Sequence, residues 1–366
     1  MASMSSTYAP SGPASTALPS RTTPLVSVIV LNYNGARWLE RCLGTLREQT
    51  IFSQMEVIVA DNNSPDKSDI LAAKLMVGWS NGRVVQHGTN LGFCEGNNRA
   101  ARQARGQWLF FLNNDTWLEP RCLETLIYET KSAGAQASGP MVLNYEDDSF
   151  QSLGAAGFDC FGLTSMRRFH TDRRPVFMPE GCAYLIERTV FHRLGGFDPE
   201  FFMFHDEFDL SFRLWIAGYM AVAVPQARLH HRGAAQVNPS GGEKVVEFRT
   251  SDLKRFYTNR NSILTFLKNA RGLLLLALPL QIALLALEHV VGLILVRRWS
   301  FVRRAFFEAV SDCWRLRHHV VKERRQLKQL RQRGDLWMTR FLCLRLNRWD
   351  EVVRIRRAGI PKVGAS

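Results

Sequence analysis

A repeated pattern constrains this chain most: short, almost wholly apolar runs that end in polar residues, separated by segments with helical spacing. "LVSVIVLN" begins at Leu25, "MEVIVADNNS" ends its apolar part at Asp61, and "RVVQ" and "QWLFFLNND" follow. Runs apolar on both faces suit strands buried between two layers, as in parallel sheets. Between the first two, "GARWLERCLGTLREQ" sets Trp38, Leu39, Cys42, Leu43 and Leu46 at helical spacing. A second helical stretch runs to about Val77 and a third lies around Asn97–Ala104. This alternation predicts an α/β fold with a doubly wound, mostly parallel sheet. Ligands of such sheets bind beyond the C-terminal strand ends. The polar residues expected there are Asn32, Tyr33, Asn34, Asp61, Asn62, Asn113, Asn114 and Asp115. No GxGxxG follows the first strand and no GxxxxGK[ST] occurs, so a dinucleotide or P-loop site is unsupported.

The rest of the chain divides by composition. Residues 1–23 are rich in Ser, Thr, Pro and Ala, lack the apolar core of a secretory signal, and read as a flexible tail on a cytoplasmic protein. Residues 24–270 form the main domain. Within it, 139–176 is Gly-rich and irregular, and loops with short strands are expected there. "PEGCAYLIERTVFHRLGGFDPEFF" then gives a strand and a short helix, and "AVAVPQARLHHRG" a strand ending in two histidines. From Arg271 an apolar stretch, 272–296, is long enough to cross a bilayer. It carries Pro279, Gln281, Glu288 and His289, so an element in one leaflet, kinked or hairpin-like, fits as well, and a buried helix is a third reading. Segment 271–299 is thus a hydrophobic membrane-associating element, and 300–366 a set of basic amphipathic helices. There Phe301, Val302, Ala305, Phe306, Val310 and Trp314 recur among arginines, as on an anionic lipid surface.

Net charge is +14, and residues 297–357 hold 18 Lys+Arg against 6 Asp+Glu. The main domain is therefore near neutral, which excludes a nucleic-acid surface across it. Seven cysteines are scattered without a CxxC, which indicates reduced, buried thiols.

Several strand ends carry chemistry. Asp115, beside Asn113 and Asn114, offers a hard oxygen ligand for Mg²⁺ or Mn²⁺, although a strand-end turn explains it too. Asp61 can accept hydrogen bonds from a nucleobase or ribose, or cap a helix. "NLGFCEGNNRAA" pairs glycines with a helix start that favours phosphate. In "FMFHDEFDLSFRLW", acids stand among bulky apolar residues. A helix would place Asp206 and Asp209 on one face with Arg213, pairing Arg213 with Asp209 and leaving an acid free as a general base. The helix dipole alone would explain one or two of these acids. His230 and His231 can serve as metal ligands or phosphate contacts, or be structural.

In this order, "VSVIVLNYNG", "VIVADNNSPD", "NLGFCEGNNRA", "FLNNDT", "GCAYLIERTVFHRLGGFDPEFF", "HDEFDLSFRLWIAGY" and "HHRG" resemble glycosyltransferase family 2, of GT-A fold. The rhamnosyltransferase-like group of bacterial surface-polysaccharide synthesis is the version resembled. The likeness runs from Pro24 to about Lys268 and includes "FYTNRNSILTFLKN". It implies inverting transfer from a nucleotide-diphosphate sugar, dTDP-rhamnose or a UDP-sugar, to a lipid-linked or polysaccharide acceptor at the cytoplasmic face of the inner membrane. By the resemblance Asn32, Tyr33 and Asp61 hold the nucleoside. Asn90, Gly92, Phe93, Gly96 and Asn97 line the donor pocket, with Asn114 and Arg213 as further donor contacts. Asp115, Asn113 and His230 or His231 would face a Mg²⁺ or Mn²⁺ ion. The family's acidic pair, usually EDxDL, reads "DEFDL" here, so position gives the base role to Glu207, with Asp206 as the other candidate. A nucleotidyltransferase or a catalytically silent membrane scaffold are the competing readings.

Overall fold

The computed structural model describes residues 23–166, 170–233 and 249–347, with 349, 353, 356, 359 and 362–364 beyond. Of the expected tail, only Thr23 lies within these.

The first half alternates as the pattern requires: β1 Val26–Asn32, α1 Ala36–Arg47, β2 Met55–Asp61, α2 Ser68–Leu75, β3 Gly82–Gln86, α3 Gly92–Ala101 and β4 Trp108–Asn113. β1 lies parallel between β2 and β4, with Asn32 opposite Asp61 and Leu31 opposite Asn113. That register brings three polar strand ends to one edge. Alternate residues of β1 feed two apolar layers, Val28 and Val30 toward Leu39, Leu43 and Val59, and Ile29 toward Leu109 and Phe111.

The second half corrects the expected topology. It runs through β5 Thr116–Leu118, α4 Cys122–Ser132, β6 Ala137–Asn144, β7 Phe150–Ser152, β8 Ala155–Phe158, β9 Thr164–Met166 and β10 Arg174–Pro175. Then come β11 Ala183–Glu187, α5 Arg188–Arg193, α6 Asp206–Ile216 and β12 Ala221–His231. The ten-stranded sheet has the order β10-β12-β6-β11-β4-β1-β2-β3, with β5 on β12 and β7 on β6. β11 runs antiparallel to both β4 and β6, so the sheet is mixed, not mostly parallel. β6 is a fully buried central strand that runs from Ala137 into the stretch expected, from Gly139 on, to be loops and short strands. Its Gly139-Pro140 hid it, and the partner β12 bulges between Val224 and Arg228, beside Pro140.

Beyond β13 Arg249–Ser251, α7 Asp252–Asn269 packs on α6, and α8 Ala277–Val296 follows. α9 Trp299–Val302, a π-helical turn Arg303–Glu308, α10 Ala309–Arg315, α11 Arg317–Leu330 and α12 Asp335–Met338 fold back onto the main domain, and β14 Lys362–Gly364 pairs with β13. Cys313, Val320, Leu327 and Met338 share a core with Ile263, Leu264 and Phe266. The stripe expected to face lipid is corrected as well. Phe301, Val302 and Ala305 are buried beside Leu293, Phe306 and Val310 pack against the core, and Trp314 of that stripe is exposed. Burial against protein removes the same apolar area from water as lipid would. All seven cysteines are free.

Candidate functional site

Side chains at the ends of β1, β2 and β4 meet first. Asn32 donates from Nδ2 to Asp61 Oδ2 at 2.6 Å and to Ser68 Oγ at 2.7 Å, and accepts from Asn114 Nδ2 at 2.9 Å. Asp61 also accepts from the Ser64 amide and hydroxyl at 2.9 and 2.6 Å. These bonds fix Asn32, Asp61 and Asn114 as one rigid corner, with Tyr33 standing open above it at 47% exposure.

Asn62 donates to the Gly92 carbonyl at 2.9 Å and to Asn90 at 3.3 Å, and pairs with His87, while Asn90 accepts from the Gly92 amide. The start of α3 is not an open anion cradle, contrary to the expectation from sequence. The amides of Phe93 and Cys94 both donate to the Phe202 carbonyl, at 2.7 and 3.2 Å. Gly92 has φ +74°, and a Cβ there would sit 2.5 Å from the Phe202 ring, so its lack of a side chain serves loop packing. Gly96 likewise lets α3 approach Leu31. Asn97 donates to the Phe93 carbonyl and keeps its buried Oδ1 without a protein partner.

On the other side of β4, Asp115 meets β12. Antiparallel pairing sets His231 opposite Thr116 and His230 opposite Trp117. Adjacent strand residues point to opposite faces, so the two histidines part. His231 Nε2 lies 3.4 Å from Asp115 Oδ1, and its Nδ1 is 2.9 Å from Gln151. Burial opposes the charged ring, but Cys182 and Asp115 outweigh it and hold the His231 pKa well above the ordinary value. Asp115 is lowered despite burial, by its hydrogen bond and charge contact with His231. His230 is corrected as a metal candidate: it stacks on Trp117, rings 3.5 Å apart and parallel, and binds Asp148 at 2.8 Å. Asn113 closes β4, its carbonyl accepting from the Thr116 hydroxyl. Among the described residues no three His, Cys, Asp or Glu side chains gather to hold an ion unaided.

The acids of α6 sit at its first turn, after a loop in which Phe202, Phe204 and His205 all have φ near +60°. Such backbone persists only where surroundings over-determine it. Asn261 of α7 does so, its Nδ2 donating to the carbonyls of Phe201, Met203 and Phe204 at 2.8–3.0 Å. Asp206 is buried, and burial followed by the charge of Glu207 pushes its pKa well up. Glu207 is raised too, by burial and then by Glu180. Its carboxyl lies against Gly181, where a Cβ would come within 3.0 Å of it. Among the described residues no Lys or Arg pairs with Asp206 or Glu207.

Glu180, not singled out in sequence, joins the two halves of the site. It accepts from Ser152 at 2.5 Å and is an electrostatic neighbour of both Glu207 and His231, with burial raising its own pKa. The only signal for it was "PEG" before an apolar strand. Arg213 is corrected as a donor contact. It is buried, donating to Asp209 at 2.9 Å and to the Leu194 carbonyl at 2.6 Å.

The family model for glycosyl transferase family 2 matches residues 27–195. The chain is 28% identical over 240 residues to N-acetylglucosaminyl-diphospho-decaprenol L-rhamnosyltransferase of Mycobacterium tuberculosis, covering 57% of this chain and 77% of that one. It is 31% identical over 237 residues to the O-antigen biosynthesis protein RfbC of Myxococcus xanthus, covering 60% of this chain but 18% of that one. Among solved structures, GalNAc-T7 with UDP, GalNAc and Mn²⁺ aligns with TM-score 0.53 at 17% identity, over 67% of this chain and 48% of that one. A mannosyltransferase from Pyrobaculum calidifontis, with GDP-Man and Mn²⁺, aligns with TM-score 0.50 at 17% identity, over 85% and 86%. These two likenesses concern the fold, a mixed α/β sheet of GT-A type.

Proposed function

We propose, from the premise that the chain is a family 2 nucleotide-sugar glycosyltransferase of the rhamnosyltransferase-like kind in glycan synthesis, that it transfers one sugar with inversion to a lipid-linked or polysaccharide acceptor at the cytoplasmic face of the membrane. The name of one relative supports a rhamnosyl donor; dTDP-rhamnose is the form that the resemblance in sequence implies, with UDP-sugars next. The Asn32–Asp61–Asn114 corner and the open Tyr33 ring would receive the nucleoside. Asp115 and His231, one carboxylate and one imidazole at adjoining strand ends, fit two ligands of a divalent ion whose other positions the donor diphosphate would fill. When bound, that Mg²⁺ or Mn²⁺ supplies positive charge to the diphosphate.

Glu207 is the base. Its carboxylate takes the proton of the acceptor hydroxyl as that oxygen bonds to the anomeric carbon; the bond from that carbon to the diphosphate breaks, and the nucleoside diphosphate leaves with the electron pair. Attack opposite the leaving group inverts the configuration. The observation that carries this is the placing of Glu207: it is partly exposed at the first turn of α6, its carboxyl lies against Gly181 with no cationic partner among the described residues, and Glu180, next to Gly181, stands as an electrostatic neighbour between it and the Asp115–His231 pair. Arg37 does not favour nucleotidyl transfer: it lies over Trp38, 4.6 Å from the ring centre.

The test is transfer from a panel of nucleotide sugars with Mg²⁺, with Mn²⁺ and with chelator. Glu207→Gln should bind donor as the parent does and lose transfer. Unchanged turnover removes Glu207 from the base role, and full activity in chelator removes the ion.

A further inference from the structure

The stretch Gly272–Ile294 is long and apolar enough to cross a bilayer. Its burial pattern says otherwise. Leu274, Leu278, Gln281, Leu285 and His289 are buried along one continuous stripe, spaced by three or four residues from one end of the element to the other. The polar side chains that would burden a span all turn to the protein. Gln281 donates to the Phe161 carbonyl at 3.0 Å and to Ser262 at 3.1 Å. His289 is buried against Phe301 and Phe306, and Glu288 lies 3.6 Å from Arg255. Pro279 falls in the first turn of α8, where a missing amide costs no helical bond.

The opposite stripe, Leu276, Leu280, Ala283, Leu287, Val290 and Ile294, is exposed and free of polar side chains. Just past the helix come exposed Arg297, Arg298 and Arg303 with outward Trp299 and Phe307. An apolar strip bordered by arginines and aromatic rings complements anionic headgroups above acyl chains.

We infer that α8 does not span the membrane but lies in its plane, clamped along its length to the catalytic domain and burying Leu276–Ile294 in one leaflet of an anionic lipid surface. A spanning helix would have to take Gln281, His289 and the Glu288–Arg255 contact off the protein and into hydrocarbon. This rests on the membrane partner proposed above and fixes how it is engaged, holding the base of α6 at constant height over lipid-linked acceptors.

The test uses the full chain with the partly exposed Cys160 and Cys343 replaced by serine, and adds one cysteine at a time, at Leu276, Leu287 or Ile294, to carry an environment-sensitive fluorophore. It is bound to phosphatidylglycerol vesicles containing lipids spin-labelled near the headgroup or deep in the chain. All three sites should be quenched alike and best by the shallow label. About 27 Å of helix separates Leu276 from Ile294. A deep maximum at Leu287 with both ends shallow would mean a span and overturn the inference. Absence of quenching, with the strip instead protected by self-association, would overturn it in favour of a second copy. Arg297→Glu, Arg298→Glu and Arg303→Glu together should weaken vesicle binding at least about tenfold and leave nucleotide-sugar binding in solution unchanged; unchanged vesicle binding would refute the charge contribution. Insertion depth and donor binding are separate readouts, so either proposal can fail alone.

Discussion

Asp206 and Asp209 lie three residues apart on α6, both buried, and their environments are opposite. Asp209 is held by Arg213 at 2.9 Å, Lys268 at 3.1 Å and Asn269 at 2.7 Å. Lys268 also pairs with Asp198, which His319 of α11 contacts at 2.8 Å. Burial opposes ionisation there, but Arg213 and Lys268 outweigh it and lower the Asp209 pKa. Asp206 has Glu207 beside it and no such cation among the described residues, so its pKa rises. One turn of helix thus separates an acid that fastens α6 to α7 and α11 from a pair of acids that lean on each other and have no cation among the described residues. A buried carboxylate compensated on every side is structural; one left uncompensated is a candidate for proton transfer, the role proposed above for Glu207.

The comparison is most sharply broken by substitution at its two ends. Glu207→Gln should cut kcat by roughly 10²–10⁴-fold, the usual worth of a positioned base. Its thermal midpoint should not fall, because a poorly compensated charge is removed. A large loss of stability would assign Glu207 to the framework. Lys268→Met should do the reverse in kind, leaving Asp198 and Asp209 short of a cation and costing about 3–5 kcal/mol in urea unfolding. Stability within 1 kcal/mol of the parent would show that the cluster is not what holds α6.

Asn261→Ala tests the link between the two regions, since Asn261 secures the strained loop ahead of Asp206. A fall of roughly tenfold in kcat, equivalent to about 1.4 kcal/mol, is expected, with donor affinity unchanged. A change confined to donor affinity would place the loop elsewhere in the cycle.

The smallest effect is in pH. As the proposed base Glu207 would have to be ionised, and its pKa is raised, so activity should climb with pH through a limb above the ordinary Glu value of about 4.3. Glu180→Gln removes one cause of that rise and should move the limb to lower pH; an unmoved limb would dismiss Glu180 as its neighbour. Stability should respond with opposite signs at the two places. Asp198 and Asp209 have lowered folded pKa values, so their contribution is present above the unfolded Asp value of about 3.9 and lost as pH falls below it. Asp206 and Glu207 are raised, so their contribution is present below their unfolded values and lost as pH climbs through the folded ones.

The legible parts of the molecule were those written in local pattern. β1, β2 and β4 were visible because each is an unbroken apolar run, and Asn32, Asp61 and Asp115 because each ends such a run or directly follows it. β6 was not legible, since Gly139-Pro140 reads as a turn until β12 bulges beside it. Nor could spacing separate His230 from His231: that depends on which strand face meets Asp115 and which meets Trp117. The start of α3 read as a phosphate cradle because the carbonyl that fills it, from Phe202, lies over a hundred residues away.

Residue order alone determined that this chain builds an α/β sheet with polar strand ends at one edge, because hydrophobic period and strand-end polarity are local properties of the chain. Which acid is fastened and which is free, which histidine turns to Asp115, and which stripe of α8 faces outward were decided only by the tertiary structure. Each depends on counter-charges and apolar partners that distant segments bring into contact.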